Sequence, residues 1–552
     1  MIRAWEVFKF LSSSFLNFNV YKFLLIISFF FFSCSGESNA PDDSGGDNQD
    51  KQIIPTNLLF NVEIVGVNDE NPFGDGSGQI KLSASATNAV NYSFRFGTGD
   101  VTDSSSGVVE FTYSDFGTKS YTVNVLAYSS TGDYVSSAKS ITVYVEAKSD
   151  EDILSILSGG TEKTWRVNSS FDAHFGNGDK AFKYTTWWEA PSFSKNDTGF
   201  YDDEYTFKND GTFIHKTNGD VYGKASYLTQ KFGDTGQSAN SSNEIEKYKL
   251  ENYQTTFTVN KNNGNNELKF GGSGFIGFYV GEHEFTIECY DSKNILVRSV
   301  DGQNRAWYVW LTDQQVSTTP SKDIFNDLVW SDEFSYNGKL DSDKWVYEIR
   351  DQWYNEELQA TTDRLDNVVV ENGVLKIIAK RESYNGKQFT SGRVKTNKKF
   401  DFTYGRVDIR AKLPGKKGTW PALWLLGSNY DQIDWPKCGE LDIMEHAGNR
   451  LNKIQATAHH PDNYGSGDGG ETNAYNDVST EFHVYSVVWT EKAITFLIDD
   501  EPFHIVGNAC SLPYNWNFFV IVNIAMGGTF GGNVPSDFSS DIMEVDYVRV
   551  YQ

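Results

Sequence analysis

Gly439-Glu440-Leu441-Asp442-Ile443-Met444-Glu445-His446 places three carboxylates within six residues of an otherwise apolar segment. Leu441, Ile443 and Met444 read as the buried side of a β-strand, which leaves the acids to share the opposite face. Strict alternation groups Glu440, Asp442 and Met444, so Glu445 stands one position out of step. A bulge at Ile443-Met444 absorbs one extra residue and returns Glu445 to the side of the other acids, and bulges are over-represented beside active sites. The competing reading is a solvated acidic edge strand, the commoner outcome for an isolated E-x-D-x-x-E pattern. The flanking sequence decides between them.

Outward from this strand, residues 322–552 behave as one unit. Apolar runs at 328–330, 368–370, 374–379, 406–411, 422–426, 454–459, 482–489, 493–498, 518–524 and 543–551 have strand length, and helical periodicity is nearly absent. About 230 such residues suit a jelly-roll sandwich of two β-sheets. The Gly- and Asn-rich stretch 463–473 reads as a mobile loop.

The motifs in this unit carry a resemblance. Trp435-Pro436-Lys437-Cys438-Gly439-Glu440-Leu441-Asp442-Ile443-Met444-Glu445 resembles the bulged active-site strand of family 16 glycoside hydrolases. Trp330-Ser331-Asp332-Glu333-Phe334, Asn355-Glu356-Glu357-Leu358-Gln359, Ser391-Gly392-Arg393, Gly418-Thr419-Trp420-Pro421-Ala422-Leu423-Trp424, Asn523-Ile524-Ala525-Met526-Gly527-Gly528 and Val545-Asp546-Tyr547 extend the likeness in the family's order. Within the family the pattern is similar to laminarinases, endo-acting on β-1,3-glucan, and the fold implied is concanavalin A-like. The resemblance makes Glu440 the nucleophile and Glu445 the general acid/base, with Asp442 between them tuning a neighbouring carboxyl. It assigns Asn355, Arg393, Trp420, Trp424, Trp435 and His459 to substrate, although Trp424 lies in an apolar run and reads equally as core. It implies a structural Ca²⁺ held by Glu333, Gly373 and Asp546, against the alternative of salt-bridged surface acids, and no cofactor for catalysis. The chemistry agrees independently: a retaining pair needs one carboxylate and one carboxylic acid about 5–5.5 Å apart, and a bulged strand can supply both.

The preceding chain divides by composition. Arg3, Lys9 and Lys22 precede the apolar run 23–32 and then Ser33-Cys34, which resembles a bacterial lipoprotein signal with Cys34 as the lipidated residue; a plain secretory signal over 1–34 is the alternative. Residues 35–54, rich in Ser, Gly, Asp and Asn, read as a flexible tether. Strand-like runs at 58–67, 79–86, 92–96, 108–113, 120–128 and 138–145 indicate a β-sandwich over 55–147. Its Tyr92-Ser93-Phe94-Arg95-Phe96-Gly97-Thr98-Gly99-Asp100 stretch resembles the polycystic-kidney-disease (PKD) type of Ig-like domain. Residues 150–315 predict a short helix at 152–157 and at least eight antiparallel strands. They suggest a β-barrel, lipocalin-like in outline, which resembles modules of surface lipoproteins in glycan-degrading bacteria. There Trp187-Trp188, with Trp165, Phe193 and Tyr201, read as core or as a sugar-stacking platform, and Asp202-Asp203-Glu204 as a solvated turn or cation site.

Composition bounds the function. A formal charge of −26 over 552 residues excludes a nucleic-acid partner, which needs a basic stripe. Four cysteines at 34, 289, 438 and 510 have no metal-ligand spacing and do not predict a disulfide framework; whether Cys438 pairs with Cys510 is left open. The expectation is an all-β, monomeric endo-glycosidase acting on β-glucan, anchored to the outer membrane or cell surface by lipid, or secreted. The alternatives are an endo-glycanase on mixed-linkage β-glucan or a marine galactan, and a non-catalytic glycan-binding lipoprotein.

Overall fold

The computed structural model describes residues 54–552 except 69, 98–100, 114–116, 147–149 and 263–264. The signal segment, Cys34 and the tether up to residue 53 lie outside the described residues, as does most of the turn at 97–100. Residues 52–552 form one unit by their contacts.

Helical segments are few and short, and the described strands pair antiparallel except Gln359–Thr361, which runs parallel to Lys387–Ser391. The first module has two sheets. Thr56–Ile64, Gln79–Thr87 and Val108–Thr112 make one; Val101–Ser104, Asn91–Arg95, Gly117–Tyr128 and Tyr134–Val145 make the other. Both contribute to a single core containing Ile80, Leu82, Phe94, Val123 and Val143. Its aromatic rings stack closely, Phe96 on Phe111 at 3.8 Å and Tyr113 on Tyr121 at 3.7 Å.

In the second module the helix Asp150–Ser158 leads into a ring of strands in the order 162–167, 204–208, 212–216, 253–262, 265–270, 284–290, 294–300, 305–312. The last pairs back with the first through Leu311 and Val167, so the ring closes. Aromatic side chains fill its core: Phe213 lies 4.4 Å from Phe270, and Phe207 stands edge-on to Phe257 at 4.9 Å. Sequence periodicity finds these eight strands but misses the branch Phe175–Asp179 with Trp188–Glu189, the hairpin Gly219–Lys224 with Glu244–Leu250, and the helix Ala225–Phe232. These are short segments whose order comes from packing on the ring. Trp165 is completely buried and takes the core option. One reading is corrected here. Asp203 is neither a solvated turn nor an open cation ligand: it is fully buried 3.1 Å from His215, and Tyr205 donates to it at 3.0 Å.

The third module stacks two large sheets. One runs in the order 359–361, 387–391, 374–384, 540–551, 405–412, 483–489, 493–498, 501–507, with Leu328–Asp332 and Val368–Glu371 branching from it. The other has seven strands in the order 346–347, 393–395, 518–526, 419–427, 440–446, 454–460, 463–472. Between them lies a dry core in which Leu423, Leu425, Leu441, Ile443, Met444, Val522 and Ile524 face Ile377, Val407, Ile409, Val545 and Val548. The stretch at 463–473 is not a loop: Asn463–Thr472 pairs with Ile454–His460, Gly469 lying opposite Thr457, and extends the sheet. Glycine content suggests a loop there, yet backbone pairing along a sheet edge overrides so weak a preference.

The modules are joined tightly. Tyr184, Cys289, Leu296, Ala306, Tyr308 and Trp310 of the ring belong to the same buried cluster as the two large sheets. A disulfide links Cys289 to Cys510 across 221 residues, and Cys438 stays free and buried. One covalent staple therefore exists where cysteine spacing indicates none, because only the tertiary fold brings these two residues together. The first module meets the third through Ser140 and Asp401 and through Thr122, which accepts from the Thr403 N–H at 3.2 Å. A cavity of about 710 Å³ opens where all three modules meet, lined by Arg95, Phe111, Phe171, Lys293, Tyr404 and Gln552.

Candidate active site

The strand Glu440–His446 is built as its sequence suggests. On one side Asp442 pairs with Trp424 and Met444 with Leu423, leaving Ile443 without an opposite residue. On the other, Asp442 pairs with Thr457 and Glu445 with Gln455, so two residues oppose the single Ala456. This bulge turns Ile443 and Met444 both inward, and each is fully buried with Leu441. Burying three such side chains contributes about 6 kcal/mol and sets which face looks outward. The strand begins at Gly439, whose φ of +78° and contacts exclude a side chain: a Cβ there would lie 2.7 Å from the Phe518 ring.

Glu440, Asp442 and Glu445 consequently share the open face. They stand in line with Leu426, Trp424 and Ala422 of the neighbouring strand. The Trp420 indole N–H donates to Glu445 Oε1 at 2.9 Å. His459 Nε2 lies 3.0 Å from Asp442 Oδ2 and 3.8 Å from Glu440 Oε1. The first contact is an ion-pair distance without hydrogen-bond alignment, since Asp442 Oδ2 has no hydrogen-bond partner. Burial is the leading cause that pushes all three carboxyls well above the usual range, Glu445 up to about 8. The Asp442 charge adds to the rise at both glutamates, and His459 and, for Glu445, Trp420 oppose it. Three carboxylates this close do not ionise together, so the trio holds protons that exposed acids would release.

The remaining predicted contacts divide into those at the surface and those beneath it. Trp435 is 46% exposed, with its ring 6.0 Å from His459 and edge-on to Tyr464 at 5.7 Å. Asn355 is exposed in a left-handed turn at φ 54°, and its carbonyl accepts from the Thr529 N–H at 2.9 Å, beside Trp420. Arg393 lies between two indoles, 4.6 Å from Trp424 and 4.7 Å from Trp353. Its Nε donates to Glu348 Oε2 at 2.9 Å. Burial raises the Glu348 carboxyl, but Arg393 and Lys395 outweigh it and hold the group below its usual value. Trp424 is 9% exposed, donates to Asn523 Oδ1 at 2.8 Å and packs with Ala422, Leu426, Phe519 and Ile521 on the acids' side of the sheet, where it supports Arg393 from below. Glu348, Trp353 and Tyr464 were not singled out from sequence. Glu348 and Tyr464 sit in no acidic or aromatic cluster along the chain, Trp353 has only Tyr354 beside it, and Asn523 was visible only as the first residue of its motif.

Two cation arrangements were tested against the side chains. Glu333 accepts from Arg549 Nε at 2.9 Å and from a terminal nitrogen of Arg549 at 2.8 Å, and Asp546 accepts from Arg410 at 2.6 Å. Gly373 occupies a turn at φ 78°. With both carboxylates engaged by guanidinium groups, this set does not fit Ca²⁺ as it stands. Glu440, Asp442 and His459 each offer a donor atom within 4.8 Å of the others.

Comparison with known proteins matches residues 355–549 to the glycosyl hydrolases family 16 model. A β-glucanase from Rhodothermus marinus is 40% identical over 256 residues, covering 41% of this chain and 85% of that protein. A glucan endo-1,3-β-glucosidase from Cryptopygus antarcticus is 36% identical over 248 residues, covering 40% of this chain and 90% of that one. The solved laminarinase from Rhodothermus marinus is 41% identical, over 41% of this chain and 97% of its own, with a TM-score of 0.39. With its acidic strand inside the matched span and relatives covered over most of their length, the chain is a glycoside hydrolase and belongs to family 16.

Proposed function

We propose that the chain cleaves β-1,3-glucan internally, with retention of configuration, from the cell surface or outside the cell. The observation that carries this reading is the bulged strand, which turns Glu440, Asp442 and Glu445 onto one open face. The β-1,3-glucan assignment draws on the names of the relatives, among them the enzyme of Cryptopygus antarcticus. Anchoring through Cys34 draws on the signal-like N-terminus alone.

In this mechanism the Glu440 carboxylate attacks the anomeric carbon while Glu445 gives its proton to the departing glycosidic oxygen. The bond breaks and a glycosyl ester forms on Glu440. Glu445, now ionised, takes a proton from water, and that water's oxygen displaces Glu440 and restores both side chains. Burial suits Glu445 to the first step by keeping it protonated near neutral pH. His459 stabilises negative charge on Glu440, favouring the ionised nucleophile. Trp435 and Tyr464 offer flat apolar faces to sugar rings, while Asn355 and Arg393 offer polar groups to hydroxyls.

Incubation with laminarin, lichenan and agarose, with product analysis and the anomer followed by NMR, tests the reading. Laminarin should yield oligosaccharides with retained anomeric configuration, and Glu440→Gln should reduce reducing-sugar release about a thousandfold or more with binding kept. Preferred cleavage of lichenan or agarose would overturn the linkage assignment. Inverted products, or an active Glu440→Gln chain, would overturn the roles.

A further inference from the structure

Tryptophan is almost everywhere enclosed in this protein. Among the described residues only Trp435, Trp187 and Trp188 count as exposed, at 46%, 56% and 38%. The first lies beside His459 on the open face. The other two are adjacent in the second module, outside the catalytic sheets. Leaving apolar area of an indole in water forgoes about 2 kcal/mol of burial, so an ordered exposed pair marks a binding surface better than a failed core.

The pair is held in place. The Trp187 N–H donates to the Asn177 carbonyl at 3.1 Å, and Trp188 and Glu189 pair with Asn177 and Gly176. The Trp188 ring stands edge-on to Phe175 at 5.6 Å, and the Lys195 ammonium lies 5.1 Å from it. Lys195 places a polar group beside the Trp188 ring, as recognition of a sugar hydroxyl next to a stacked ring requires.

Its position relates the pair to the catalytic face. Tyr184, three residues earlier, is buried edge-on against His460 at 5.2 Å. His460 follows His459, and four residues beyond it Tyr464, 58% exposed, meets Trp435. The segment bearing the two indoles is thus docked against the end of the strand Ile454–His460, next to the strand that carries Tyr464.

We propose that Trp187 and Trp188 form a second binding site for the same β-glucan, taking a stretch of polymer beyond the part held over the carboxylates. This rests on the β-glucan reading given above. The ligand is a neutral glucan presenting apolar pyranose faces; a charge of −26 opposes an anionic one. Two sites on one rigid body gain affinity only for a ligand long enough to reach both.

The test uses the full chain with Glu440→Gln, so that ligand is not consumed, with and without Trp187→Ala and Trp188→Ala together. Calorimetric titration with laminarin should show binding weakened about tenfold or more by the double change, while affinity for laminaritetraose is unchanged. Trp187→Phe with Trp188→Phe, which keeps flat rings, should recover most of the loss. Equal laminarin affinity in the two chains, alongside wild-type hydrolysis of laminarin, overturns the second site alone. Failure of the wild-type chain to bind or cleave any β-glucan overturns both it and the substrate assignment. Parallel loss of tetraose binding would mean that the indoles only support the fold, and would also overturn it.

Discussion

In the proposed mechanism Glu445 couples stability to catalysis through one proton. Burial raises its folded-state pKa to about 8 from 4.5, so the folded chain binds the proton more tightly than the unfolded chain does. Its stabilising contribution is complete below the unfolded value and disappears as pH rises through the folded one. The melting temperature should therefore fall between about pH 5 and pH 9, and Glu445→Gln, neutral throughout, should flatten that decline in a calorimetric series. Trp420→Phe removes a donor that favours the ionised carboxyl. Its expected signature is an alkaline limb of kcat/KM displaced to higher pH, beside a raised KM from the altered ring. The three acids were legible in the sequence because they are crowded within one apolar segment. Glu348 and Trp353, which hold Arg393, were not, because each is distant from it in sequence and meets it only in the folded chain.

The bulge is the element on which the site turns. It lets five positions of chain carry Glu440 and Glu445 to the same face while Ile443 and Met444 both enter the core. Inserting one alanine after Asp442 leaves an even spacing of four, so on a regular strand Glu445 keeps its face but stands about 7 Å further from Glu440, and no measurable turnover should remain. Deleting Ile443 instead leaves the acids at even spacing on a regular strand, so Glu445 keeps its face and turnover should remain detectable. Assays of the two variants, with circular dichroism to establish folding, separate position from composition. Most strands were legible from alternation, including all those of the catalytic face near Glu440. The strand Asn463–Thr472 was not, because its glycines carry no side-chain pattern and its order comes from pairing with Ile454–His460.

Across the whole molecule, the second module and the catalytic sheets share one buried cluster and one disulfide. Closing a loop of 221 residues stabilises by at most about 5 kcal/mol on the chain-entropy model. Cys289→Ser with Cys510→Ser should lower the melting temperature while leaving kcat near its original value, because Glu440 and Glu445 lie on other strands. Residues 322–552 expressed alone should melt earlier still, having lost the packing of Tyr184, Tyr308 and Trp310.

The sequence alone determined the β class and the crowding of three carboxylates on one strand, since period-two patterning and residue spacing are local properties of the chain. Tertiary structure alone decided that Asp203 is buried against His215, that Cys289 meets Cys510, and that Trp424 lies under Arg393 whereas Trp187 and Trp188 face solvent. Burial and long-range partnership depend on which surfaces meet, and no local pattern of residues encodes that.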